Sequence, residues 1–226
     1  MKKIITFTLI IFSFYFAEGQ GFKSGINFGF ANTDVLGTDP YDVDFNKIGF
    51  NIGMFVQRQL SDKSRLRFEM NFIEKGSYIP PIIDSTGQNT NTGSYKVRLN
   101  YIEVPVIYAH RIGFKVDSSF INRFDIEIGL AIGFLIHADE NLDNSGPQPV
   151  YSIAPFSPYS KYDFSGLIGF AYRITDNWKF HFRYENSIIP IRPHPGGATA
   201  LNTNYIPYYN AGETNLVFVY SLSYTF

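Results

Sequence analysis

Acidic and basic residues recur at every second position in several segments of this 226-residue chain, most clearly in 65–69 and 179–185. Because successive side chains of a β-strand point to opposite faces, residues spaced by two share one face. A buried charge persists only when it is paired and hydrogen-bonded. The sequence therefore predicts a network of interior ion pairs, formed by Arg65, Arg67, Glu69, Glu103, Asp125, Glu127, Asp163, Lys179, His181, Arg183 and Glu185.

Three kinds of chemistry are open to such residues. Paired charges that fill an interior are structural, whereas charges along an open path form a narrow pore or a small-ligand transport barrel. A third possibility is a lipid acyl hydrolase or transferase, for which His137 and His194 would have to converge with Asp139, Glu140 and Ser187 at one rim. Spacing alone brings none of these loop residues within hydrogen-bond reach, and no histidine spacing indicates a metal site. We therefore expect a structural network without catalytic, cofactor-binding or metal-binding residues.

The elements that position these charges are long strands. A period-two alternation of apolar and polar residues predicts eight of them, at 22–31, 47–60, 65–75, 97–111, 123–137, 162–174, 178–188 and 215–226. Short turns follow the second and sixth strands, at 61–64 and 175–177. Long polar or proline-rich stretches follow the odd-numbered strands, at 32–46, 76–95, 138–161 and 189–214. Short turns at one end and long loops at the other are typical of outer-membrane barrels.

The expected fold class is all-β, an eight-stranded antiparallel up-and-down barrel that crosses the outer membrane. The alternative is a soluble barrel of the lipocalin type, whose apolar face would point inward around a ligand. An eight-stranded barrel is just wide enough for side chains to fill, so roughly thirty large apolar side chains fit only outside, against lipid. Glycines such as Gly25, Gly129 and Gly169 then leave room inside for the charged residues.

The alternation of apolar and polar residues does not by itself orient the fourth strand. Both of its faces are apolar, and the assignment of the inward face depends on placing Glu103 inside. Pro105 has no backbone donor, which predicts a bulge or a locally broken ladder at that position.

The last strand carries a feature of its own. Residues 217–226 alternate strictly, and Leu222, Tyr224 and Phe226 lie on its aromatic face up to the final residue. This pattern is typical of the closing strand and assembly signal of outer-membrane barrels. It predicts the barrel assembly machinery and outer-membrane lipids as partners.

The N-terminus indicates export. Lys2 and Lys3 precede an apolar run at 4–17, and small residues at Ala17 and Gly19 predict cleavage after residue 19. A membrane anchor is the alternative, but the run is shorter than the roughly 20 apolar residues that a spanning helix needs. The expected organisation is a signal peptide at 1–19 and a barrel domain at 20–226.

Composition limits the remaining possibilities. The chain contains no cysteine, so it forms neither disulfides nor a cysteine-linked lipid anchor. Its net charge of -1 offers no basic surface for nucleic acid.

Two segments carry a family resemblance. Residues 68–76 end in Lys75-Gly76 on the third strand, and 99–106 contain Tyr101-Ile102-Glu103-Val104-Pro105 on the fourth. With the closing Phe226, these segments resemble the PorT-like family of small outer-membrane β-barrel proteins. The resemblance implies an integral outer-membrane protein, in a family that mostly lacks an assigned activity and has a few members associated with type IX secretion and gliding.

The function expected from these observations is not enzymatic. We expect a barrel with a plugged lumen that acts as a structural or surface-recognition protein, or as an accessory of envelope assembly. Tyrosine- and proline-rich loop segments at 154–159 and 205–209 indicate a possible protein partner outside the membrane.

Overall fold

The computed structural model describes residues 21–36, 45–81, 94–113, 121–142, 158–193 and 212–226. The predicted signal peptide lies outside these residues. The strands are β1 (Phe22–Leu36), β2 (Lys47–Gln59), β3 (Ser64–Ile79), β4 (Tyr95–Arg111), β5 (Phe124–Leu142), β6 (Tyr162–Arg173), β7 (Trp178–Ser187) and β8 (Thr214–Thr225). A single 3-10 turn, Ile121–Arg123, precedes β5. No helix in the described residues is long and apolar enough to cross a membrane.

The strands close into one antiparallel barrel. Each pairs with its neighbours in chain order, and β8 pairs with β1. This confirms the predicted fold class. The end that carries the short connections β2–β3 and β6–β7 is called the turn end below, and the opposite end is called the loop end.

The two faces of the strands differ as the alternation requires. Outward side chains are large and apolar, and Phe50, Ile48 and Leu130 are 72, 69 and 64 % exposed. Aromatic pairs lie near both ends of this apolar surface, with Trp178 against Tyr224 at the turn end and Phe134 against Tyr162 at the loop end. Most of the large apolar residues in the middle of the strands therefore face away from the lumen, and the buried charged residues face into it.

Three strands extend at the loop end by four or five residues more than the sequence predicts. β1, β3 and β5 continue at the loop end through 36, 79 and 142, into stretches expected to be loops. The prediction stopped where large apolar residues stopped. The backbone ladder continues beyond them, because the polar residues that follow still pair with neighbouring strands.

A bulge changes the orientation of β5 near the loop end. The register with β4 shifts between Asn100 and Tyr101, which pair with His137 and Leu135. A bulge inserts one residue into one strand, so the alternation beyond it reverses. Glu140 consequently lies on the inward side, which strict alternation along β5 would not predict.

The proline on β4 interrupts one ladder only. Between β3 and β4 the pairs are continuous from Ser64 to Phe68 and resume at Asn71, with none assigned opposite Pro105. On the other side, Pro105 pairs with Ala131 of β5. The predicted local break therefore occurs in the β3–β4 ladder. Glu103 is buried and faces inward, as the prediction assumed.

At the loop end, β1 and β3 contact each other directly. Thr33 Oγ1 of β1 donates a hydrogen bond to the Gly76 carbonyl of β3 at 2.8 Å, and Ser77 Oγ of β3 donates to Asp34 of β1 at 2.7 Å. Gly76 has a φ of 137°, and a Cβ atom there would lie 2.1 Å from the Val97 carbonyl oxygen. Only glycine is compatible with both this positive φ and the short distance from Gly76 to the Val97 carbonyl oxygen.

Closure of the barrel depends on β8. The Phe226 amide donates to the Ser24 carbonyl at 3.0 Å, and the Thr225 amide donates to the Asn177 carbonyl at 2.9 Å. The Phe226 ring itself is 63 % exposed and contacts Tyr224 edge-on at 5.8 Å. The side chain thus contributes little to the folded barrel, whereas its backbone completes the seam.

We predict that Phe226→Asp lowers the amount of assembled, heat-modifiable barrel in cells several-fold. The substitution keeps the backbone hydrogen bond to Ser24, so its unfolding in detergent after refolding should match the wild type. Leu60→Asp is the matched control, because Leu60 is also apolar and 55 % exposed at the turn end but lies outside the closing strand. Normal membrane levels of Phe226→Asp, measured by immunoblot of outer-membrane fractions, would contradict an assembly role.

Candidate functional site

The lumen contains three clusters of charged side chains. The turn-side cluster contains Arg65, Arg111, Asp125 and Lys179. The central cluster contains Arg67, Glu69, Glu127, His181 and Arg183. The loop-side cluster contains Lys75, Glu103, Asp163 and Glu185. All eleven residues of the proposed network face inward and are buried, and each lies in one of these clusters.

The turn-side cluster is centred on one carboxylate. Asp125 of β5 accepts a hydrogen bond from Arg65 Nη2 of β3 at 2.6 Å and from Lys179 Nζ of β7 at 3.1 Å. Arg111 Nε of β4 lies 3.7 Å from its other oxygen. Three bases therefore share one acid at this end of the lumen.

The central cluster is centred on one guanidinium. Arg183 of β7 donates two hydrogen bonds of 2.9 Å to Glu69 on β3, and its Nε donates to Glu127 of β5 at 2.8 Å. A forked guanidinium that binds a carboxylate through two parallel bonds is among the strongest and most directional polar contacts. Asn27 and Asn71 also donate to Glu69. The cluster links opposite walls of the barrel.

Small residues make room for this cluster. Arg67 lies on the other side of Glu69, with its guanidinium 3.5 Å from the centre of the Phe55 ring. A Cβ atom on Gly25 would lie 2.4 Å from the Phe55 ring, and one on Gly169 would lie 2.9 Å from Arg183 Cγ. Side chains at these two positions would displace the groups that pair the central charges.

The loop-side cluster is centred on one ammonium. Lys75 Nζ lies 2.7 Å from Glu103, 3.2 Å from Asp163 and 2.5 Å from Glu185, which come from β4, β6 and β7. Asn215 Nδ2 of β8 donates to Asp163 at 2.8 Å. One base is shared by three acids here, the reverse of the turn-side cluster.

Sequence reasoning missed two members of the network. Lys75 was named only for the family resemblance, although it lies an even number of residues from Arg65 and therefore on the same face. Arg111 is about one-third exposed and reaches Asp125 from the strand end. The alternation contained the evidence for Lys75, whereas the contact of Arg111 depends on how β4 and β5 pair.

A Ser–His–acid arrangement occurs inside the central cluster. His181 Nε2 lies 2.8 Å from Ser223 Oγ, and His181 Nδ1 lies 3.1 Å from Glu127. A catalytic serine must meet its substrate, but Ser223, His181 and Glu127 are completely buried. Arg183 Nη2 also lies 3.3 Å from His181 Nδ1, and Arg183 Nε donates to Glu127 at 2.8 Å. Glu127 is therefore shared between His181 and a permanent cation. These contacts pack the three side chains inside the barrel and leave the serine inaccessible to solvent.

The residues predicted for a catalytic rim do not converge as far as the structure describes them. His137 and Asp139 are exposed, and Ser187 is completely buried in the lumen, not at the rim. Glu140 faces inward through the bulge in β5, and His194 lies outside the described residues. Within the described part of the chain, no three His, Cys, Asp or Glu side chains are arranged to hold a metal ion.

A second set of polar contacts closes the loop end, and we call it the mouth clamp: Tyr95, Glu140, Tyr159, Arg192 and Glu213. Arg192 donates from Nε and Nη2 to Glu213 at 2.9 and 2.8 Å and from Nη1 to Glu140 at 3.0 Å. Its guanidinium lies 4.1 Å from the centre of the Tyr159 ring. Tyr95 donates to Glu140, and burial together with that hydrogen bond raises the pKa of the Tyr95 phenol. The phenol therefore remains a neutral donor.

An apolar layer lies beneath the mouth clamp. Ile191, next to Arg192, is completely buried among inward residues of several strands, including Val35, Leu99 and Val217. The Ile191 amide donates to the Glu213 carbonyl at 2.8 Å, and the Ser160 amide donates to the Ile191 carbonyl at 2.6 Å. The chain after β7 thus folds into the barrel mouth above the charged clusters.

A comparison with models of protein families agrees with this architecture. A family model described as "Outer membrane protein beta-barrel domain" matches residues 16–192. No curated protein matches the sequence. Among solved structures, the chain is similar to Ail, the attachment invasion locus protein of Yersinia pestis, with 14 % identity and a TM-score of 0.43 over 90 % of this chain and 98 % of that chain.

Two other solved structures show similar values. Neisserial surface protein A is 14 % identical, with a TM-score of 0.43 over 92 % of this chain and 98 % of that one. The outer membrane protein OprG from Pseudomonas aeruginosa is 14 % identical, with a TM-score of 0.38 over 90 % of this chain and 95 % of that one.

We predict that Glu127→Leu destabilises the barrel by about 3 to 5 kcal/mol, the usual cost of removing one partner from a buried ion pair. The substitution leaves Arg183 and His181 without their shared acceptor. Asp139→Leu, on an exposed position of the same strand, is the control and should change the free energy of unfolding by about 0.5 kcal/mol or less. Denaturant unfolding in lipid or detergent measures both. Equal midpoints for the two variants would contradict a role of the central cluster in stability.

Proposed function

The chain belongs to the outer membrane protein beta-barrel domain family, and from this premise we propose that it is a plugged barrel with a structural or surface-recognition role, or an accessory role in envelope assembly. The protein is an integral outer-membrane barrel embedded in the lipid bilayer. Its outward apolar residues, and the aromatic pairs near the two ends of that apolar surface, suit that environment. The proposal concerns what the lumen and the loop end do there.

One observation carries the proposal: ion-paired side chains occupy successive levels of the lumen. An eight-stranded barrel leaves an interior that side chains can fill. An ion that crossed it would have to break the contacts of Arg183 with Glu69 and Glu127 and of Lys75 with its three acids. Removing one partner from a buried pair costs several kcal/mol. This supports a closed lumen over a narrow pore or small-ligand path.

The same burial argues against an enzyme. The arrangement of Ser223, His181 and Glu127 has no route for an acyl substrate, because all three side chains are completely buried. The exposed histidine at the loop end, His137, pairs with Asn100 across the ladder and is not joined by a serine in the described contacts. We therefore propose a non-enzymatic role.

The mouth clamp supports a role at the cell surface. Arg192 and Glu213 lie at the two ends of the connection between β7 and β8, and Glu140 and Tyr159 lie at the two ends of the connection between β5 and β6. The clamp therefore holds the bases of two long connections at a fixed separation. Fixed loop bases suit recognition, because less conformational freedom is lost on binding. Most of 154–159 and all of 205–209, the predicted contact segments, lie outside the described residues.

We further propose that the chain is PorT-like. The two segments that carry the resemblance meet in the lumen, where Lys75 of the first pairs with Glu103 of the second at 2.7 Å. Tyr101 of the same segment has its ring centre 5.5 Å from Lys75 Nζ. A joint structural role for the two segments supports the assignment. A role in type IX secretion is not proposed, because no contact in the described residues is specific to it.

We predict that the purified protein gives no stepwise conductance in planar bilayers. In the closed lumen that we propose, the interior ion pairs block ion passage, so the current should equal that of the bilayer alone. A general porin reconstituted in the same bilayer verifies that single openings are detectable. Reproducible current steps that depend on protein concentration would refute the closed lumen.

We also predict the orientation of the barrel. An epitope inserted near residues 144–146 should be detected on intact cells, because an exported chain with an even number of strands places the long loops outside. An epitope at 176–177, in the short β6–β7 turn, should be detected only after permeabilisation. Exchanged results would contradict this orientation, and recovery of either variant in the soluble periplasmic fraction would contradict membrane insertion.

A further inference from the structure

We propose that the carboxyl groups of Glu103 and Glu185 share a bound proton, which makes the loop-side cluster a proton-binding site inside the barrel. This goes beyond the closed lumen and the surface role, and it holds whichever partner the loops recognise. The argument rests on charge, on hydrogen-bond chemistry and on burial.

The first step is the local charge. Lys75 is the one cation within ion-pair distance of Glu103, Asp163 and Glu185 in the described residues. Across the three clusters together, six bases face six acids, but the excess of bases lies at the turn side and the excess of acids at the loop side. Opposite charges at other levels of the lumen are engaged with their own partners. Three ionised carboxylates around one ammonium would leave uncompensated buried charge, which proteins avoid by binding protons.

The second step is the position of the two acids. Glu103 Oε2 and Glu185 Oε1 lie 2.7 and 2.5 Å from the same Lys75 Nζ, so the two carboxyl groups adjoin each other around one ammonium. An ionised carboxylate only accepts hydrogen bonds, so two adjoining carboxyl groups can bond to each other only when one carries a proton. Two carboxyl groups that share a site typically hold one proton between them for this reason. In addition, the buried Oε2 of Glu103 receives no hydrogen bond of regular geometry from the protein.

The third step explains why the third acid is not the proton carrier. Asp163 accepts from Lys75 Nζ at 3.2 Å, from Ser165 Oγ at 3.2 Å and from Asn215 Nδ2 at 2.8 Å. Hydrogen bonds to the charged form of a carboxyl favour ionisation. Asp163 is thus satisfied as an anion, and the proton is left to the Glu103–Glu185 pair.

The groups that face this pair are few. Lys75 approaches from β3, Asp163 from β6 and Asn215 from β8, while Tyr101 lies on the same strand as Glu103. Lys75 is permanently engaged by all three acids, and Asn215 is neutral. Loss of the shared proton would therefore place three carboxylates around one ammonium with no other described cation in contact.

Infrared spectroscopy tests the proposal on the full-length protein in a detergent without ester or carboxyl groups. At neutral pH the wild type should show the carbonyl stretch of a neutral carboxylic acid. Glu103→Gln and Glu185→Gln should each abolish this band, because the amide donates to the remaining carboxylate and no proton is needed. Glu74→Gln is the control, since Glu74 is partly exposed and pairs with Lys47 at 2.8 Å outside the cluster. No acid band in the wild type, or a band that persists in both pair variants, would overturn the proposal.

Unfolding as a function of pH gives a second readout. A proton held by the folded state and released on unfolding makes stability fall as pH rises. The wild-type denaturation midpoint should therefore drop as pH rises above about 4.3, the pKa of an unfolded glutamate, and should continue to drop until the folded pair releases its proton. Glu74→Gln should retain this drop, and Glu103→Gln should lose it. Identical pH profiles for Glu103→Gln and Glu74→Gln would overturn the proposal. A pair variant that fails to fold in cells is refolded in detergent for this measurement.

Discussion

The contact of Arg183 with Glu69 and Glu127 is the interaction on which the interior depends. It joins β7 to β3 and β5 across the lumen, between side chains that are almost completely buried. A buried charge without a partner is far more costly than the pair is favourable, so each of these residues holds the others in place. The charges therefore fix the positions of β3, β5 and β7 relative to each other across the lumen, a constraint that the backbone hydrogen bonds between neighbouring strands do not impose.

This requirement explains the distribution of small and large inward residues. Eight strands enclose little volume, and a guanidinium or an aromatic ring fits only where the facing residue is small. Gly25 faces Phe55, and Gly169 faces Arg183. Lipid imposes the opposite requirement on the outer face, where large apolar residues are favourable at nearly every position. The alternation along each strand satisfies both requirements at once.

The lumen also changes character along its length. Bases predominate at the turn side, acids at the loop side, and an apolar layer with Ile191 lies below the mouth clamp. The layers have different consequences. The central cluster balances its own charge and acts as a cross-link, the loop-side cluster does not balance and requires a proton, and the mouth clamp fixes the bases of two long connections.

Much of this architecture was predictable, because period-two alternation is a local property of sequence. It located all eight strands and assigned the inward face of each, on which the charged residues from Arg65 to Glu185 lie. It also gave the reason for a broken ladder at Pro105. Lys75 was not included in the predicted network, although the predicted third strand contained it and the alternation placed it on the face of Arg65.

The sequence by itself determined the fold class and which residues face the lumen, since both follow from spacing along one strand. The partners of each charge were decided only by the tertiary structure, because they depend on strand register and on distances across the lumen. The bulge in β5, opposite Asn100 and Tyr101 of β4, turned Glu140 inward. Closure of the barrel then brought Arg192 into contact with Glu140. The meeting of Glu103 with Glu185 likewise required β4 and β7 to face each other across a narrow interior. Contacts between residues far apart in sequence arise from the closed barrel, which no local pattern encodes.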